Sequence, residues 1–148
     1  MRHMAIGVWL SLSIYIRMIS RIITFRIGNP RRPGEGLRLG VTRLPPRGVP
    51  KANWHELFDV WFPALAPSRE LFATVKDTDL DDPKARKRFF DRYEREVTGD
   101  AESRQTLEVI VAVGKRIPIA IGCFCADESR CHRSRLLEIL QRIAKEKA

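Results

Sequence analysis

The chain has few cysteines and no long hydrophobic run. Three cysteines in 148 residues are too few for the disulfide framework of a small secreted protein. The most apolar run, Ala5 to Ile16, has 12 residues, whereas a helix that crosses a membrane needs about 20. With 44% hydrophobic and 30% charged residues, the composition is globular and the length suits one domain. The sequence therefore predicts a single domain without a membrane span.

The chain has fewer acidic than basic residues. The chain has 27 Lys and Arg against 18 Asp and Glu, which gives a formal net charge of +9 and an isoelectric point near 10.1. Arginine supplies 20 of the 27, and its guanidinium group binds phosphate and carboxylate through paired hydrogen bonds. This excess favours an anionic partner, either a small ligand or a nucleic acid, and by itself says nothing about the fold.

The amino-terminal apolar run resembles the apolar part of a signal peptide. No small-residue cleavage site follows it, and arginines come next, which is unusual behind an export signal. Because a segment typical of a strand already begins at Ile19, we favour Met18 as the true start. Residues 1–17 are then an extension upstream of a domain that spans 18–148.

Hydrophobic periodicity predicts strands followed by helices and a last buried strand. Ile19–Ile27 and Leu37–Leu44 indicate strands, and the continuous apolar run Pro118–Cys125 is typical of a strand buried on both faces. Residues that favour the N-cap position mark the start of five helices: Asn53, Ser68, Asp82, Asp100 and Ser129. This pattern indicates the α/β class, as a single small domain in which a short parallel or mixed sheet has helices on both faces.

The residues that carry chemistry follow the last predicted strand. In α/β sheets, ligands bind where the carboxyl ends of strands lead into the amino termini of helices. If Ser129 caps the last helix, the free N–H groups and positive dipole of that helix favour a bound anion and lower the pKa of the Cys131 thiol. We therefore predict an anion-binding pocket with catalytic potential. Its candidate catalytic residues are Cys125, Glu128, Cys131 and His132, and its candidate anion-binding residues are Arg43, Arg47, Arg133 and Ser134.

Two other interpretations of the cysteines stay open. The pattern Cys-x-Cys-x5-Cys-His, from Cys123 to His132, offers four ligands of types that zinc accepts. It lacks the paired Cys-x2-Cys knuckles of structural zinc sites, and we predict no metal or cofactor. Alternatively, reduced cysteines are small buried hydrophobes, an interpretation that suits Cys123 best. A phosphatase loop is excluded, because no arginine stands six residues after any of the three cysteines.

The densest positive stretch supports an alternative function. Six basic residues and one acid lie between Gly28 and Lys51, and we call residues 28–51 the basic segment. It favours a nucleic-acid-binding module whose affinity falls steeply with salt. Arg43 and Arg47 bracket a rigid Pro-Pro corner within it, so the same residues can instead reach the pocket.

Five short motifs occur along the chain in a fixed order. They are Thr42-Arg-Leu-Pro-Pro-Arg-Gly48, Leu65-Ala-Pro-Ser68, Phe90-Asp-Arg-Tyr93, Cys125-Ala-Asp-Glu128 and Cys131-His-Arg-Ser134. This series resembles the DRLWPRG, LAPS, F-x-x-RY and C-A-E…CHRS motifs of the DUF488 family (domain of unknown function 488), including its YeaO-like members, and it covers Ile19 to Leu140. The resemblance implies a compact, intracellular α/β domain, hence a cytoplasmic protein, and it implies no particular reaction.

The chain departs from the family pattern at two positions of the first motif. Thr42 stands where an acidic residue is usual, and Pro45 stands where tryptophan is usual. If that acid is catalytic in relatives, this protein lacks the activity or uses Glu128 in its place.

Overall fold

The computed structural model describes residues 21–147, so the predictions for residues 1–17 and for a strand start at Ile19 lie outside the described residues. The strands of this part of the chain are β1 (Ile22–Arg26), β2 (Leu37–Gly40), β3 (Val60–Trp61) and β4 (Ile119–Cys123). Its α-helices are α1 (Arg69–Ala73), α2 (Pro83–Thr98), α3 (Ala101–Gly114) and α4 (His132–Glu146). Short 3-10 helices span Lys51–Glu56, Pro63–Leu65, Thr74–Asp77 and Glu128–Arg130. None of the described helices is both long and apolar enough to cross a membrane.

The strands form one parallel sheet in the order β1-β4-β2-β3. Phe25 of β1 is opposite Gly122 of β4, and Leu39 of β2 is opposite Ile121 of β4. Parallel neighbours need long crossover connections, and α1 to α3 lie in the connection between β3 and β4. The predicted α/β class is confirmed, and the sheet is parallel rather than mixed. The carboxyl ends of the two central strands, β2 and β4, consequently lie side by side.

Three long helices cover one face of the sheet. Alternate strand residues such as Ile22, Leu39 and Ile121 pack with the apolar stripes of α2, α3 and α4 in one core. Other members of that core are Phe89, Phe90, Tyr93, Val97, Leu107, Ile110, Val111, Leu136, Leu140 and Ile143. The side chains of the predicted N-caps accept hydrogen bonds from free backbone N–H groups of the helices that follow them, which confirms Ser68, Asp82 and Asp100.

The opposite face is built from small strand residues and large aromatic rings. A Cβ atom on Gly122 of β4 would lie 2.3 Å from the Phe25 ring, and one on Gly40 of β2 would lie 2.6 Å from the Phe58 ring. Glycine at these positions lets the rings lie directly on the sheet. The rings pack with the tryptophan of the 3-10 helix Lys51–Glu56, so helical segments flank both faces.

The helix predicted from Asn53 does not form. This segment folds into the 3-10 helix just described and then into the two-residue strand β3. Strand β3 pairs with the end of β2, and the Asp59 carboxylate before it accepts a hydrogen bond from the Arg38 backbone N–H at 2.7 Å. Pairing at the sheet edge therefore overrides the helical spacing of Trp54, Phe58 and Trp61.

Candidate functional site

The segment after β4 turns twice before it enters α4. The Asp127 carboxylate accepts hydrogen bonds from the Ser129 backbone N–H at 2.9 Å and from its hydroxyl at 2.7 Å, and Asp127 caps the 3-10 helix Glu128–Arg130. Because the Ser129 hydroxyl is already bonded to Asp127, α4 begins later, and Cys131 stands at its N-cap position. The prediction that Ser129 caps this helix is therefore wrong by two residues.

Three sulfur atoms meet at this turn. The Sγ atoms of Cys123, Cys125 and Cys131 all lie within 4.8 Å of one another, and those of Cys123 and Cys125 are 3.8 Å apart. Cys123 and Cys131 are buried, with exposed fractions of 8% and 1%, whereas Cys125 is exposed. We call the three residues the sulfur cluster. It presents one accessible sulfur and two covered ones.

The pKa values of the cysteines in the sulfur cluster are shifted in different directions. Hydrogen bonds from the Cys123 and Cys131 thiols lower the pKa of Cys125, and the positive charge of Arg133 lowers it further. Hydrogen bonds that the Cys131 thiol forms with Cys123 and Cys125, together with burial, raise the pKa of Cys131. The expected low pKa of Cys131 is therefore wrong, because its thiol is buried and its pKa is raised, and Cys125 is the cysteine whose pKa is lowered.

His132 is the first residue of α4 and joins that helix to β2. Its Nε2 lies 2.6 Å from the Val41 carbonyl oxygen. A carbonyl oxygen only accepts, so Nε2 carries the proton and Nδ1, 3.8 Å from the Cys131 Sγ, holds the lone pair. Burial lowers the pKa of His132 to about 4. The imidazole is therefore neutral near pH 7 and acts as a neutral link rather than a cation.

Three of the predicted site residues form hydrogen bonds with other groups of the protein. The Arg133 guanidinium donates to the carbonyl oxygens of Cys123 and Cys125 at 3.3 and 2.7 Å, and the Ser134 hydroxyl donates to the carbonyl of Cys131. The Glu128 carboxylate accepts from the hydroxyl of Thr24 on β1. None of the three lines the cavity beside the sulfur cluster. The structure thus assigns Arg133 and Ser134 to holding the backbone of the turn, and Glu128 to a contact with β1.

A cavity of about 450 Å³ lies beside the sulfur cluster, at the carboxyl ends of β2 and β4. Strand β2 ends at Gly40, earlier than predicted, and the Thr42 hydroxyl then donates to the Leu44 carbonyl at 2.9 Å. This turn brings the Pro-Pro corner to the cavity. The cavity is lined by Thr42, Arg43, Leu44, Pro45, Arg47, Pro67, Phe72, Val75, Leu80, Phe89, Cys123, Phe124, Cys125, Arg130, Cys131 and His132.

The polar part of the cavity wall is cationic. Arg43 donates to the carbonyl oxygens of two prolines at 2.8 Å each, Arg47 is exposed, and Arg130 pairs with Asp81 at 2.6 Å. None of the described residues that line the cavity is acidic. Sequence reasoning placed Arg43 and Arg47 here and missed Arg130 and the apolar wall. The missed apolar residues follow the helical periodicity of core residues, so the sequence carries no separate signal for them.

A comparison with protein-family models matches residues 22–144 to the model DUF488-N3a, described as the active DUF488-N3 subclade. This chain belongs to the DUF488 family. Neither the curated proteins nor the solved structures give a significant match to it.

The DUF488 motifs lie close together in the fold. The first motif, both cysteine motifs and Pro67 of the second motif border the cavity. The two middle motifs contact each other, because the Tyr93 hydroxyl donates to the Leu65 carbonyl at 2.6 Å. Thr42, which replaces the usual acid, is buried and accepts a hydrogen bond from Trp61. Glu128 contacts Thr24 on β1 and does not line the cavity.

The sulfur cluster is also the set of side chains suited to a metal. Among residues 21–147, it is the one group in which at least three potential ligand atoms lie within 4.8 Å of one another, and His132 is not part of that group. Thiolates are preferred ligands of zinc and other thiophilic ions. The four-ligand pattern read from the sequence is therefore reduced to three sulfurs.

The basic segment of this DUF488 protein is not a continuous basic surface. Arg38 is buried at 1% exposure, pairs with Glu35 at 3.0 Å and lies over the Phe25 ring. Arg31 pairs with Asp59 at 2.7 Å, and Arg32 donates to the Thr24 carbonyl at 3.0 Å. Arg43 donates to two proline carbonyls in the cavity wall. Four of the six basic side chains are thus bonded within the protein.

Proposed function

We propose that this protein binds a small anionic ligand in the cavity and that Cys125 is the sulfur that reacts with it. The proposal is carried by the composition of the cavity wall, where three arginines and the sulfur cluster occur together without an acidic side chain. The rest of the wall is largely apolar, and a site partly shielded from water strengthens the attraction between an anion and guanidinium groups.

The polar groups of the wall have different roles in this proposal. Arg47, which is exposed, contacts the anionic group of the ligand. Arg130 is paired with Asp81 and the donors of Arg43 are bonded to carbonyls, so these two arginines contribute positive charge to the wall. Cys131 and His132 are positioning residues, because they are buried and hold the turn that carries Cys125.

The proposed reaction is nucleophilic. The Cys125 sulfur forms a bond to an electrophilic carbon of the ligand, and the leaving group departs with the electron pair of its broken bond. Chemistry at this position agrees with the description of the subclade as active, which names no reaction.

Two alkylating reagents test the proposal because they attack the same sulfur and differ in charge. Iodoacetate is an anion and iodoacetamide is neutral, and peptide mapping of metal-free protein gives the rate of each at Cys125. We expect Arg47→Gln to lower the iodoacetate-to-iodoacetamide rate ratio about fivefold, the effect of about 1 kcal/mol of charge attraction.

The matched control removes the same charge at the other end of the sheet. Arg116 is exposed and precedes β4, so it lies at the amino ends of the strands, and Arg116→Gln should leave the ratio unchanged. Equal ratios in the wild type and both variants would overturn the proposed anion site.

A further inference from the structure

We infer that the sulfur cluster binds one thiophilic divalent ion of the zinc class through the three cysteine sulfurs, with a fourth position open to the cavity. This inference goes beyond the proposed function and does not depend on it, because it concerns only the cysteines and the charge beside them.

The sulfur positions match the geometry of a tetrahedral ion. Zinc–sulfur bonds of about 2.3 Å at tetrahedral angles place two sulfurs about 3.8 Å apart. The Sγ atoms of Cys123 and Cys125 are 3.8 Å apart, and no pair in the cluster exceeds 4.8 Å. Closing the widest pair onto an ion therefore needs a movement of at most about 1 Å.

Arg133 gives a second, independent reason. Its side chain is buried at 3% exposure, and its Nη1 lies 3.8 Å from the Cys131 Sγ. Its hydrogen bonds to oxygen go to backbone carbonyls, and among residues 21–147 no carboxylate forms an ion pair with it. A buried cation is costly without a counter-charge, so the negative charge that faces Arg133 is that of the sulfur cluster. Three thiolates, one divalent ion and this guanidinium together carry no net charge.

The fourth coordination position faces the cavity. All three cysteines line that cavity, and His132 is outside the cluster, with its Nε2 bonded to the Val41 carbonyl. Three protein ligands with an open position are typical of catalytic zinc sites, whereas structural sites have four. The open position is accessible to water or to a small anion.

Cobalt(II) is the probe, because cobalt–thiolate sites absorb visibly and zinc does not. We expect reduced, metal-free full-length protein to bind one equivalent of Co²⁺ with sulfur-to-cobalt charge-transfer bands and tetrahedral d–d bands, both removed by one equivalent of Zn²⁺. Cys125→Ser should weaken the binding roughly tenfold or more. Because Cys125 is exposed, this variant should keep its fold, which circular dichroism checks. His55→Gln, which alters an exposed histidine far along the chain, is the control and should bind Co²⁺ as the wild type does.

The result that would overturn the ion site is an absence of charge-transfer bands, or bands that Cys125→Ser leaves unchanged. The two proposals fail separately. Co²⁺ binding without any charge preference in the alkylation of metal-free protein overturns the anion site alone. A charge preference without Co²⁺ binding overturns the ion site alone. Because ion and reagent share one sulfur, bound Zn²⁺ should also slow the reaction of Cys125 with iodoacetamide, and an unchanged rate would count against the ion site.

Discussion

Arg38 and Arg133 are both buried arginines, yet the charges that face them differ. Arg38, in the basic segment, pairs with the buried carboxylate of Glu35 and stacks on an aromatic ring. Arg133, in the turn after β4, faces carbonyl oxygens and the Cys131 sulfur. The charge of Arg38 is balanced by a carboxylate within the fold. Arg133 places its positive charge beside the sulfur cluster, which is where the chemistry is proposed.

Breaking the balanced pair should have the largest effect. Arg38→Gln leaves the Glu35 carboxylate buried without its partner, and we expect the free energy of unfolding to fall by about 3 to 5 kcal/mol. Urea denaturation measures the change. The control is Arg31→Gln, which removes a half-exposed pair with Asp59 and should cost about 1 kcal/mol or less. If both variants lost similar free energies of unfolding, the buried Arg38 would contribute no more to stability than the half-exposed Arg31.

Acid should weaken the turn after β4 through His132. Its pKa lies at about 4 in the folded protein against 6.5 in the unfolded chain. Between these values the unfolded chain binds a proton that the folded protein does not. The free energy of unfolding should therefore fall by up to about 3 kcal/mol as the pH falls from 6.5 to 4.

Denaturation at a series of pH values isolates that contribution. His132→Gln should flatten the dependence in this window, and His55→Gln, at an exposed histidine, should retain it. If the His132 variant kept the wild-type slope, His132 would not be the neutral buried link described above.

The smallest effect concerns nucleic acid. Because four of the six basic side chains of the basic segment are bonded within the protein, we expect no retarded band in a low-salt gel shift with duplex or single-stranded DNA. Binding whose logarithm fell steeply with the logarithm of salt concentration would show a phosphate-binding surface. That result would restore nucleic-acid binding as a function of the basic segment. It would also contradict the view that the basic segment is structural and the turn after β4 is functional.

Local signals predicted much of the fold. The caps Ser68, Asp82 and Asp100 act through bonds to nearby backbone groups, so neighbouring residues suffice to identify them. The apolar run before Cys125 marked the last strand, and the rule that ligands bind at strand ends pointed to the place where the cavity lies.

The remaining features depend on contacts between distant parts of the chain. Which cysteine is exposed is set by the packing of α4 against the sheet. Glu35 is near Arg38 in the sequence, but the ring that covers Arg38 is that of Phe25 on β1. Trp54 and Trp61 have helical spacing, and only the pairing of β3 with β2 shows that they belong to a 3-10 helix and a strand.

Site-resolved alkylation tests the central claim, that Cys125 is the reactive sulfur of the cluster. Reduced, metal-free native protein is treated briefly with iodoacetamide at about pH 6.5, well below the ordinary cysteine pKa of about 8.5, and its three cysteines are mapped. Hydrogen bonds from Cys123 and Cys131 lower the pKa of Cys125, so we expect Cys125 to react faster than the cysteines of the denatured chain. Cys123 and Cys131 should remain largely unmodified. Labelling of Cys131 at or above the rate of Cys125 would contradict the account.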